Sequence, residues 1–195
     1  DKKTSLCVGI DPHVEFVPSF VKDILINKGS YDFLLCFSKT LIDASITQVS
    51  TVKFQSSLFE AFGAEGMLAL RDSVKYAKSQ GLICVLDIKR CDIGTSLIGY
   101  GSFAFEYIDA DAITFIPFMG IKPVGTLTPW LQKNKGVYCV LLSSNVDEAY
   151  LIQKQVSGIL IKCINDFLNL GLIRDCVGLV VGAQALDLLD EGLIS

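Results

Sequence analysis

The sequence predicts an α/β protein, a TIM (β/α)8 barrel of which six βα units can be read in 195 residues. Three observations carry this. Short, almost continuously apolar runs alternate with stretches of helical periodicity, the pattern of parallel strands covered by helices. The chain is 51% hydrophobic and 19% charged with a mean hydropathy of +0.48, so much of it must be buried on both faces of a sheet. Polar residues also emerge on one face at the C-terminal ends of three successive strands. Barrels build sites in that way, whereas a doubly wound sheet, which fits the alternation equally well, draws mainly on two strands at a switch point.

The first strand is LCVGID (6–11), its odd positions on one face and ending in Asp11. A helix over about 31–46 follows, with Phe33, Phe37 and Leu41 at i, i+4 and i+8. The second strand is STVKFQ (50–55), where Thr51, Lys53 and Gln55 share a face. The next helix, AEGMLALRDSVKYAKSQG, carries a stripe of Met67, Leu70, Val74 and Ala77 and stops at Gly81. LICVLDIK (82–89) alternates Val85, Asp87 and Lys89 and leads into a helix over about 96–108. AITFIPF (112–118) precedes a short helix near 126–134, and GVYCVLL (136–142) a long one over about 147–170. VGLVVGA (177–183) and a helix from about 185 make the sixth unit. A full barrel needs eight units and roughly 250 residues, so two more are expected beyond these. No solenoid repeat, low-complexity tract or linker interrupts the chain, and 1–195 reads as a single barrel domain.

Several functions are disfavoured. The net charge is −4, and Lys and Arg neither cluster nor interleave with aromatics, so a nucleic-acid partner is not expected. The KYAK and KNK clusters read as solvated faces or turns. No apolar run reaches the roughly 18 residues that would span a membrane. Seven cysteines without a CxxC pair, mostly inside apolar runs, read as small hydrophobes in a reducing cytoplasm. With His13 as the one histidine, a multi-histidine metal site is impossible and a histidine triad has a single candidate. Gly99-Tyr100-Gly101 lacks the third glycine and the preceding strand of a dinucleotide loop and reads as helix packing.

The informative stretch is VLDIKRCDIGTS (85–96), where a buried run closes on Asp87, Lys89 and Asp92. An unpaired buried charge costs several kcal/mol, so these three need partners. Lys53 arrives from the adjacent strand and completes an Asp–Lys–Asp–Lys set of alternating sign. A lysine flanked by carboxylates keeps its proton and is a poor base but a well-placed acid. Two readings stay open: an ion-pair network that fixes register, or a site. Ser143-Ser144-Asn145, after the fifth strand, can either contact a polar ligand or cap a helix.

DIKRCDIG (87–94) resembles the D-x-K-x-x-D-I signature of the orotidine 5'-phosphate decarboxylase family. CVGIDPH (7–13) is similar to that family's first strand, VKFQSSLFEAFGAEG (52–66) to its second strand and following helix, and VVGA (180–183) to its sixth strand. The VKxQxxxFExxGxxG pattern is that of the branch found in many bacteria and in apicomplexan parasites. The resemblance implies loss of CO2 from orotidine monophosphate to give UMP, without metal or organic cofactor. It implies Lys89 as the acid that protonates C6, Asp87 beside the substrate carboxylate, and Lys53 against the Asp87/Lys89 array and a ribose hydroxyl. Asp11 would take a ribose hydroxyl too. Asp92 and Ile93 would cross a homodimer interface into the partner's site with Ser96 nearby, and Ser144 with Ser143 would meet the pyrimidine edge. Lacking an electron sink, the reaction needs a preplaced cation at the developing carbanion.

The family's phosphate grip, a P-G-x-G-x-Q loop and a later G-R, has no counterpart up to Ser195, so it is expected in the two further units. Gln184 lacks the P-G-x-G and is not assigned. Mg²⁺-dependent sugar-phosphate decarboxylases and aldolases of the superfamily carry a strand-two carboxylate where this chain has Lys53. A scaffold domain without catalysis, or a fused or associated orotate phosphoribosyltransferase as in a UMP synthase, is compatible with the sequence.

Overall fold

The six apolar runs form six strands, and neighbours in the sheet are neighbours in the chain: β1-β2-β3-β4-β5-β6. The computed structural model describes residues 4–144, 148–168 and 174–183. β1 is Cys7–Ile10, β2 Thr51–Gln55, β3 Ile83–Arg90, β4 Ala112–Phe115, β5 Gly136–Leu142 and β6 Val177–Val181. β1 with β2, β2 with β3 and β5 with β6 pair in parallel. Uninterrupted chain order is the order of a (β/α)8 barrel; a doubly wound sheet reverses at its switch point. The fold is of the barrel type.

The helices are α1 (Ser19–Lys28), α2 (Ser30–Ser45), α3 (Ser56–Glu60), α4 (Gly63–Ser79), α5 (Gly94–Gly101), α6 (Thr128–Leu131) and α7 (Glu148–Leu168). A π-helical turn, Ser102–Tyr107, extends α5. The sixth helix expected from about 185 lies outside the described residues. α1 has no counterpart among the helices expected above, although Val17, Phe20, Val21 and Ile24 stand at helical spacing; of its own residues it buries Val21 alone. α2 buries Phe33, Leu34, Ser38 and Ile42, while Phe37 and Leu41 are only half-buried. Ser38 can enter the core because its hydroxyl donates to the Leu34 carbonyl at 2.8 Å, one turn back.

Two compact units make up the structure: residues 1–88 with 103–112, and residues 89–102 with 113–195. In the first, Ile10, Phe33, Leu34, Ile42, Val52, Phe54, Phe59 and Leu70 are fully buried. Each side chain of this size removed from water stabilises the fold by about 1.5–3 kcal/mol. α4 keeps its expected stripe of Leu70, Val74 and Ala77, with Met67 half-buried. It packs so closely on α3 that a Cβ on Gly66 would stand 1.9 Å from the Phe59 carbonyl oxygen. In the second unit, Ile113, Phe115, Val124, Leu127 and Cys139 form the buried centre. Gly101 packs as expected: a Cβ there would meet the Trp130 ring at 2.7 Å and Leu127 at 2.8 Å. Gly99 has open space around it.

Of the seven cysteines only Cys84 and Cys139 are fully buried, a narrower set than the apolar runs imply. Burial pushes the Cys139 thiol up to about 12. No helix among the described residues is long and apolar enough to cross a membrane.

The KYAK segment is more than a solvated face. Lys78 Nζ donates to the Asp109 carbonyl (2.9 Å), Asp109 Oδ2 (2.8 Å) and Asp111 Oδ1 (3.1 Å). Asp111 Oδ2 accepts the Cys84 N–H at 2.9 Å, and the Asp111 N–H donates to the Cys84 carbonyl at 2.8 Å. The start of β3 is thus tied to the segment entering β4. Burial disfavours the Lys78 charge, but the bonds to Asp109 and Asp111 outweigh it and hold the ammonium above the usual lysine range. A pKa raised on folding adds stability that is complete below the unfolded value, about 10.4, and is lost as pH rises through the folded value. Lys78→Met should therefore cost about 1–2 kcal/mol at neutral pH in urea unfolding. That deficit should shrink towards zero in alkaline solution, and a pH-independent deficit would attribute the loss to packing of the stem instead.

Candidate active site

The strand period and register place the charges of the first unit. Gly9 pairs with Lys53, Lys53 with Val85, and Gln55 with Asp87, so the odd positions of β1, β2 and β3 fall on one face. The even positions Ile10, Val52, Phe54 and Leu86 are fully buried on the other. Lys53 Nζ lies 3.0 Å from Asp87 Oδ2 and donates to it. The Asp87 side chain is 7% exposed and that of Lys53 32%, so a nearly dry carboxylate is held by an ammonium that still reaches water. Such a pair is a fixed dipole in a low-dielectric wall, and it needs no reorganisation when charge develops near it.

Asp11 is exposed, just past β1. Its Oδ2 turns back to within 3.1 Å of where a Cβ on Gly9 would stand, and Gly9 is the strand partner of Lys53. The Asp11 carbonyl accepts the His13 N–H at 2.8 Å, which turns the chain away. His13 itself is an exposed loop residue with its ring edge-on to Phe16, 5.8 Å between centroids. The Cys7 thiol is pushed up by burial, partly opposed by the Lys53 charge.

In the second unit, Lys89 is exposed and has a backbone φ of +42°. The two-residue alternation inferred for Asp87 and Lys89 therefore does not run unbroken, because the backbone leaves the extended region at Lys89. A left-handed conformation at such a residue costs about 1–3 kcal/mol and persists only where its surroundings impose it. Here the Lys89 N–H donates to Thr114 Oγ1 at 2.9 Å, and the Arg90 carbonyl accepts the Ile116 N–H at 2.8 Å. The Arg90 guanidinium sits 5.2 Å from the Tyr100 ring centroid. Asp92, half-buried, accepts the Ile93 N–H through Oδ1 at 2.8 Å and so shapes the turn into α5. Ile93 is 53% exposed, and Ser96 is exposed in the first turn of α5.

Beyond β5, Ser143 is half-buried and Ser144 exposed. Gln153 on α7 holds Ser143 at two points: its Oε1 accepts the Ser143 N–H at 2.6 Å, and its Nε2 donates to Ser143 Oγ at 3.1 Å. Asn145 and Gln184 lie outside the described residues. Among the described residues no group of three or more His, Cys, Asp or Glu side chains could hold a metal ion.

Two supporting residues escape the sequence reading. Thr114 had a signal, as a hydroxyl in the otherwise apolar run Ala112–Phe115. Gln153 had none, since a polar residue on a long helix looks like any solvated position.

Residues 4–192 match the orotidine 5'-phosphate decarboxylase / HUMPS family. The orotidine 5'-phosphate decarboxylase of Clostridium perfringens is 31% identical over 147 residues, 74% of this chain and 50% of the relative. That of Salinispora arenicola is 33% identical over 192 residues, 91% of this chain and 66% of the relative. The solved structure of Leishmania donovani OMP decarboxylase superposes with a TM-score of 0.70 at 28% identity, over 91% of this chain and 65% of that one. The chain spans between half and two thirds of the length of these relatives.

If the Lys53–Asp87 pair is energetically coupled, Lys53→Met and Asp87→Asn will not add. The double variant should lose about 1 kcal/mol less, in urea unfolding, than the two single variants together. Additivity would show that the 3.0 Å contact stabilises nothing.

Proposed function

The chain belongs to the orotidine 5'-phosphate decarboxylase / HUMPS family, and from that premise we propose that it decarboxylates orotidine 5'-monophosphate to UMP, the last step of pyrimidine synthesis in the cytoplasm. No cofactor takes part in the proposed reaction. The bond from C6 to the carboxylate breaks, its electron pair stays on C6, and CO2 leaves. Lys89 delivers a proton from its ammonium to C6 and regains one from water. Asp87 lies beside the departing carboxylate, and Lys53 holds Asp87 and a ribose hydroxyl. Asp11 takes a ribose hydroxyl as well, and Ser144 with Ser143 meets the pyrimidine edge.

One observation carries this reading: an ammonium, Lys53 Nζ, stands 3.0 Å from Asp87 Oδ2. A divalent cation needs anionic or neutral oxygen donors, and a bonded lysine on β2 opposes one there. That favours metal-free decarboxylation over the Mg²⁺-dependent sugar-phosphate chemistry of the same superfamily. It also favours an enzyme over a scaffold, since the pair is held in the dry wall that developing charge requires.

We further propose a homodimer in which Asp92, Ile93 and Ser96 act in the partner's site. The exposed apolar surface of Ile93 (53%) and Ile98 (42%) supports a covering partner there.

Two outcomes test the proposal in the complete protein. Lys89→Ala should still fold and lose turnover of orotidine monophosphate, followed by its absorbance, by about 10³-fold or more; retention of most activity would falsify the role of Lys89. Inactive Lys89→Ala and Asp92→Ala chains, refolded together, should recover about a quarter of the sites, because random pairing restores one intact site in each mixed dimer. No recovery would show that Asp92 acts within its own chain.

A further inference from the structure

We infer that Thr114 is a positioning residue for Lys89, its hydroxyl fixing the left-handed backbone from which the lysine side chain departs. The inference rests on the role proposed for Lys89 and adds a residue that role does not supply. Among the described residues, three other than glycine have positive φ: Lys89, Asp109 and Asn134. Asp and Asn take this conformation readily, since their short polar side chains bond locally, but lysine has no such help. Lys89 is also the one of the three that lies within a strand. The bend at Lys89 therefore calls for support from its surroundings.

Thr114 Oγ1, 2.9 Å from the Lys89 N–H, is placed to do so. The residue is 4% exposed and flanked by Ile113 and Phe115, both fully buried. A hydroxyl there is costly unless it is bonded. Threonine is stiff about χ1, so its oxygen is a fixed acceptor and not an adaptable one. One residue further on, the main chain takes over, with the Ile116 N–H donating to the Arg90 carbonyl at 2.8 Å. The bend at Lys89 is thus bracketed by one side-chain bond and one main-chain bond. A four-carbon side chain magnifies any backbone rotation at its root, and misplacement of a reacting group by about 1 Å can cost about 10²-fold in rate.

The test compares Thr114→Val, which keeps the shape and removes the oxygen, with Thr114→Ser, which keeps the oxygen, in the complete protein. The valine variant should lose about 10- to 100-fold in kcat while KM for orotidine monophosphate stays within about threefold, and the serine variant should keep kcat within about threefold. In a Lys89→Ala background, Thr114→Val should change the remaining rate by less than about twofold. If the valine variant does not fold, Thr114→Ala replaces it with the same expectation. Equal losses in the serine and valine variants, or additive losses with Lys89→Ala, overturn the inference in favour of plain packing. Amide exchange at Lys89, followed by NMR, should quicken with valine and not with serine, whatever the substrate. Unchanged exchange overturns the anchor itself, whereas altered exchange in a protein inactive on orotidine monophosphate overturns only the proposed function.

Discussion

A carboxylate with 7% of its side chain exposed must have a counter-ion, and that need at Asp87 constrains everything around it. The cost of leaving it unpaired is several kcal/mol, a large part of the stability of a domain of this size. Lys53 meets the need only if β2 and β3 keep the register that sets Gln55 opposite Asp87 and Lys53 two residues earlier. Slipping one strand by a residue would bury Lys53 and expose Phe54. Hydrophobic pattern and ion pair therefore specify the same register, so the pair is compatible with a site without being needed to choose the fold.

The end of β3 answers a different constraint. An extended strand presents alternate residues to alternate faces, and nothing in that geometry orients a side chain more finely. The left-handed φ of +42° at Lys89 breaks the pattern at the residue where orientation would matter most for chemistry. Strain of this kind survives only against a rigid surrounding, supplied here by Thr114 of β4 and by Ile116 just past it. Bending a strand at its last residues is inexpensive, because few ladder bonds remain to be lost there.

What the sequence discloses follows from which forces repeat along a chain. The strands were legible because burial on both faces leaves unbroken apolar runs, and the polar face because a period of two is strict. The Lys53–Asp87 pair was legible because residue type and strand order suffice to bring it together. α1 was legible as well, through Val17, Phe20, Val21 and Ile24 at helical spacing, but it went unread in a stretch between the first strand and the longer α2. Ser38 in the core of α2, Lys78 bonded to Asp109 and Asp111, and Thr114 bonded to Lys89 all depend on three-dimensional partners 4 to 33 residues away. Thr114 at least stands out as a hydroxyl in an apolar run, whereas the other two look solvated until such a partner is known. The positive φ at Lys89 left no trace at all, because lysine is not a residue whose presence announces that conformation.

The same facts bear on whether the charged cluster is only architecture. A purely structural ion pair gains from being closed off, with each charge fully matched and no ammonium left near solvent. Here Asp87 is dry but Lys53 keeps 32% of its side chain exposed, and Lys89, two residues on, is exposed at a strained backbone position. The left-handed backbone at Lys89 costs about 1–3 kcal/mol, a cost that a role for the direction of its side chain would explain. Aiming an ammonium is such a role, and the proposed delivery of a proton to C6 would require it. The proposed reaction would explain the bend as well as the ion pair, whereas register control explains the ion pair alone.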